Sequence, residues 1–133
     1  MGKKSYTGFI LWLMIFVAAT LGISLLPTED WQLLMRLIIL LMAWGIAALA
    51  FIIWRTEQVY WYNGITYEEA EAAGSERRKD YAWRHLKVFG VYALGISVFV
   101  WVMHMLGASA WIDFTVGTIG LIVAGCCTMP IKL

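Results

Sequence analysis

The chain has 133 residues, 62% hydrophobic and 14% charged, with a formal net charge of +1. Soluble proteins run near 45–50% apolar and about 25% charged, so a soluble fold of this length leaves too much apolar surface uncovered. The small net charge excludes a global attraction to nucleic acid. The expected architecture is an all-α integral membrane protein forming a single domain over 1–133. Four transmembrane helices, at about 9–26, 31–54, 88–106 and 111–129, are expected in an antiparallel bundle. A cytoplasmic helical segment, 55–87, joins spans two and three.

Lys3 and Lys4 precede the first apolar run, as in a signal peptide. The run is longer than a usual signal core, and no small-residue cleavage pattern precedes Pro27, so it reads as a retained span. Tyr6 stands where an N-myristoylation pattern needs Ser or Thr. The run has no ionisable side chain and covers roughly 27 Å at helical rise, close to a hydrocarbon core.

Pro27 opens a short link, in which Thr28 is the expected N-cap of the second helix. Glu29 and Asp30 suit the first turn, where N–H groups are unpaired. The second span has Trp31 and Trp54 at its ends, the placing of interfacial tryptophans. Its one charge is Arg36. Residues 107–110 form the last turn, and Pro130 ends the fourth span.

Segment 55–87 holds 12 of the 19 charged residues. Asn63-Gly64 is a turn dipeptide. Thr66 and Glu69 have capping-box spacing. A short helix is expected over 67–73, ended by Gly74, with Ser75 capping the next. From Glu76 the helical pattern enters the third span unbroken, giving one helix of about 30 residues. Asp80 and Arg84 are spaced as a surface ion pair. Stretch 63–66, followed by a charged helix entering a span, resembles small bacterial membrane proteins, including those of the bacteriocin-immunity type. The likeness implies no site residue.

Lys3, Lys4, Lys132 and the six Lys and Arg residues of the segment fall on one side; only Arg36 lies near the other, with Glu29, Asp30 and Asp113. The positive-inside rule then places both chain ends and the segment in the cytoplasm, and a bacterial plasma membrane is expected.

The spans lack Asp, Glu, Lys and Arg in their middle thirds. Ion-coupled transporters generally need such a charge in the low-dielectric region. Small multidrug-resistance exporters share this length and span number but carry an acidic residue in the first helix, where this chain has none. The first half shows no repeat in the second beyond shared hydrophobicity, so an inverted-repeat transporter lacks support.

Two residues are candidate intramembrane polar contacts. Arg36 must snorkel outward or pair with Glu29, Asp30 or Asp113, unless it meets an anion in an outer vestibule. His104 reads as an interfacial polar residue. It lies on the same helix as His85, roughly 28 Å away by helical rise, so the two cannot share a metal. No metal or other cofactor is expected.

Arg77, Arg78, Lys79, Arg84, His85 and Lys87 form a basic collar, suited to anionic lipid headgroups or a protein partner. Glu68, Glu69 and Glu71 read as a solvated helix face. Small residues recur at close-packing spacing: Ala18 with Gly22, Ala43 with Ala47, Ala93 with Ser97, Gly120 with Ala124, and Gly117 besides. Packing within the bundle or self-association follows. The adjacent Cys126 and Cys127 offer neither a disulfide framework nor a redox motif and read as small helix residues.

No nucleophile elbow or phosphate loop occurs, so no enzyme is expected. The reading is a non-enzymatic accessory, regulatory or immunity-type subunit acting through segment 55–87. Its partners are the bilayer and a second copy or another membrane protein, not nucleic acid. The alternative is a small oligomeric channel or transporter.

Overall fold

The computed structural model describes residues 2–62 and 64–133. Helices make up most of the chain, and no strand occurs among the described residues. The order is α1 (Thr7–Ser24), α2 (Trp31–Thr56), a 3-10 turn (Val59–Trp61), α3 (Tyr67–Ala73), α4 (Ser75–Met105) and α5 (Ala110–Thr128). α1, α2, α4 and α5 are each long and apolar enough to cross a membrane.

Helix ends follow local chemistry. Asp30 caps α2, its carboxylate accepting from the Leu33 amide at 3.1 Å. Thr28 was the expected cap; its hydroxyl instead accepts from the Asp30 amide at 3.2 Å and shapes the approach. Thr66 and Glu69 close a full capping box on α3. Gly74, not Ser75, occupies the cap position of α4, and Ser75 is its first helical residue. Gly74 has φ 84° and ψ 163°, a region open essentially to glycine alone. Asn63 of the expected turn lies outside the described residues. α4 has 31 residues, about 46 Å of helix against roughly 30 Å of hydrocarbon. Its first part is polar and its second, from about residue 88, apolar.

Two cores hold the bundle. The first joins Ile39, Ala43 and Ala47 of α2 to Ala93, Ile96 and Val100 of α4. Lipid is as apolar as these side chains, so close dispersion contact between small residues holds such helices together. The second core gathers Ile53, Val59, Tyr60, Ala70, Tyr81 and Ala82, with Ile131 and Leu133 packed against it.

α1 is peripheral. None of its residues is buried. It leans on α2 through Trp12, whose indole donates to the Gly45 carbonyl at 2.9 Å while Phe16 covers Gly45. Of the small-residue pairs, Ala43–Ala47 packs, whereas Ala18 and Gly22 are exposed and no atom lies near a Cβ built on Gly22.

Candidate functional site

Polar chemistry collects at the two ends of the bundle. At one end, Arg36 in the second turn of α2 reaches Asp113 in the first turn of α5. Arg36 Nε donates to Asp113 Oδ2 at 2.5 Å, and the two side chains are 6% and 0% exposed. Arg36 Nη2 donates to the Ala108 carbonyl, and Nη1 lies 3.5 Å from His104 Nδ1. Gln32 Oε1 accepts from the Ala110 amide at 2.9 Å. One α2 face therefore holds the α4–α5 turn and the start of α5. Of the fates open to Arg36, pairing with Asp113 is the one adopted. Its charge is compensated inside the protein, while Asp113 Oδ1 stays buried with no partner among the described residues.

The other end carries segment 55–87. Glu57 ends α2 in the left-handed region at φ 63°, which costs a side-chain-bearing residue about 1–2 kcal/mol. That turn brings its carboxylate to Arg78. Arg78 Nη2 donates to Glu57 Oε1 at 3.3 Å and Nη1 to the Ala70 carbonyl at 2.8 Å. Partial burial raises the Glu57 carboxyl, but the Ser75 hydroxyl and the cations Arg78 and Lys79 outweigh it and hold the group below its ordinary value.

The chain's beginning docks on the same segment. The Ser5 carbonyl accepts from Tyr60 Oη and Trp61 Nε1, each at 2.9 Å, and the Ser5 amide donates back to Tyr60 Oη. Tyr67 Oη donates to the Gly2 carbonyl at 2.9 Å. With Ile131 and Leu133 on the second core, residues from both chain ends and the middle segment meet at one end of the bundle.

The collar expected from sequence divides in two. Arg77, Lys79, Arg84 and Lys87 are exposed, with Arg84 paired to Asp80 at 3.0 Å. Arg78 and His85 are buried, 7% and 5% exposed, and are withdrawn from any headgroup or partner contact. Helical phase is the reason. Residues 78, 81, 82 and 85 share one face of α4, which turns onto the second core. The imidazole of His85 stacks on Tyr62 and Tyr81, with ring centroids 4.3 and 4.4 Å away.

His104 is exposed on α4, beside Arg36. Ala47, Gly117 and Ala124 are buried in the bundle, whereas the candidate packing residue Gly22 faces outward. Gly120 and Gly117 receive the Tyr92 ring, whose hydroxyl donates to the Gly117 carbonyl at 2.7 Å. Cys126 and Cys127 are unbridged and exposed. Among the described residues no cluster of His, Cys, Asp and Glu could hold a metal.

Two structural contacts escaped the sequence reading, the Gly45–Trp12 seat of α1 and the docking of Ser5. A tryptophan and a glycine in neighbouring spans are the only signal for the first. Compared with known protein families, curated proteins and solved structures, the chain has no match.

Proposed function

We propose that this protein is a non-enzymatic accessory, regulatory or immunity-type subunit of a membrane. Its four spans run antiparallel, with both chain ends and segment 55–87 on the cytoplasmic side. It engages another membrane protein through Arg77, Lys79, Arg84 and Lys87, with anionic headgroups as a second contact for the same cations. The observation that carries this reading is the order of the segment. It has its own core, its own capped helix and hydrogen-bonded ties to Ser5 and Gly2. A rigid scaffold with outward cations loses little entropy on docking. The gathering of Lys3, Lys4, Lys132 and the segment's cations at one end supports the orientation.

The experiment is gentle extraction from the native membrane, followed by the mass of the complex. A second protein of fixed stoichiometry is expected, and it is lost when Arg77, Lys79, Arg84 and Lys87 are changed to Glu. If the mass is that of a homo-oligomer and the variant leaves it unchanged, the accessory reading fails. The protein is then a small oligomeric channel or transporter, to be measured by solute flux into liposomes.

A further inference from the structure

α4, α5 and the middle segment line a half-open cavity of about 460 Å³ at the end of the bundle where Ser5 docks. Small-molecule sites are typically about 300–1,000 Å³, with apolar walls and a few placed polar groups. The walls here include Tyr62, Tyr81, Phe89 and Met129, with His85 and Thr128 among them. Among the described residues no Asp, Glu, Lys or Arg lines the cavity. An ionic ligand would leave water for a site with no counter-charge, so the occupant is neutral. The cavity lies where α4 passes from its polar to its apolar part, so the occupant is an amphiphile.

The polar groups are specific. His85 Nδ1 is 3.0 Å from the Tyr81 carbonyl oxygen. A carbonyl can only accept, so Nδ1 carries the hydrogen and Nε2 of the neutral ring holds a lone pair. Burial pushes His85 below its ordinary value, against the opposing effect of the Tyr81 carbonyl, and keeps the ring neutral. No described residue donates to Nε2. The Tyr62 hydroxyl is sealed from the cavity and has no partner among the described residues. A buried hydroxyl without a partner has lost its water for nothing in return. Thr128 has spent its proton on the Gly125 carbonyl at 2.7 Å. The cavity therefore offers one unused acceptor, His85 Nε2, on a ring stacked between Tyr62 and Tyr81.

We propose that this cavity binds a neutral amphiphile with a ring hydroxyl, of the phenol or quinol class. Its hydroxyl donates to His85 Nε2. Its ring lies against Phe89 and the Met129 thioether, both favourable neighbours of an aromatic face. This inference is independent of the partner reading, because the exposed cations lie outside the cavity.

The chain has two histidines, and His104 at the other end is a built-in control for nonspecific partition. The protein, labelled with ¹⁵N-histidine, is placed in phosphatidylcholine nanodiscs and titrated with 4-propylphenol. The expected result is a saturable shift of the His85 Nε2 resonance with His104 unmoved. 4-Propylanisole, which lacks the proton, leaves His85 unmoved. A decyl-substituted hydroquinone distinguishes the source: a gain beyond its bilayer partition indicates a membrane quinol, and none indicates a soluble phenol. The proposal is overturned if both histidines drift without saturation, or if the anisole matches the phenol.

Discussion

Arg36 and Asp113 are 77 residues apart in the chain, and their side chains meet at 2.5 Å in a buried ion pair. Each charge is costly at this depth alone, and together they are nearly neutral. Breaking a buried pair from one side costs about 3–5 kcal/mol, because a bare charge is left behind. Arg36→Met and Asp113→Leu should each lower the thermal midpoint strongly in detergent micelles. The double variant should recover much of the loss. Strictly additive losses would show that the two residues do not act as a pair.

The divided collar gives a contrast within three neighbours. Arg78→Ala strips Glu57 and the Ala70 carbonyl of their donor and should cost about 1–3 kcal/mol. Arg77→Ala and Lys79→Ala should stay within about 0.5 kcal/mol of the native chain, as exposed positions do. Chemical denaturation in mixed micelles checks this. Equal effects at all three positions would mean that Arg78 is not buried.

Glycine positions separate backbone strain from crowding. A Cβ on Gly74 meets no atom within 4 Å, yet the residue has φ 84°. Gly74→Ala should therefore cost about 1–3 kcal/mol from backbone conformation alone. A Cβ on Gly120 lies 3.0 Å from Tyr92 Cε2, so Gly120→Ile should overpack that contact by about 1–3 kcal/mol. Gly22→Ile, in open space on α1, should leave the isolated chain's stability unchanged. Melting curves of the three variants decide. A strong loss at Gly22 would place a further helix against α1.

The buried His85 sets an acid limit. Its folded value lies below the ordinary one, so the unfolded chain binds the proton more readily. The stabilisation is complete above about pH 6.5 and is lost as the pH falls through the lowered folded value. The facing rings of Tyr62 and Tyr81 are uncharged throughout that window. Glu57, also lowered, adds its own loss only in the more acidic carboxylate range. Thermal midpoints between pH 7.5 and 5 should fall for the native chain and less for His85→Gln. Parallel curves would remove His85 as the cause.

Much of the fold was legible in the chain. The apolar runs locate four helices because a span must keep its backbone polar groups paired within itself. The capping box at Thr66 and the break at Gly74 were legible because they act over three or four residues. Burial of Arg78 and His85 was also written there, in the helical spacing of 78, 81, 82 and 85. Reading the cations as one collar ignored that phase. Ala18 and Gly22 have close-packing spacing, yet both are exposed in the single chain.

Composition and short-range pattern thus set helix number, length and ends, since hydropathy and capping are local properties of the chain. Tertiary structure alone chose Asp113 over the nearer Glu29 and Asp30 as the partner of Arg36. It also seated Ser5 on Tyr60 and Trp61, and set His85 and Tyr62 along one cavity. Those choices depend on how helices far apart in sequence are rotated against each other. Spans apolar on every side leave that rotation open until small residues, rings and buried charges pack.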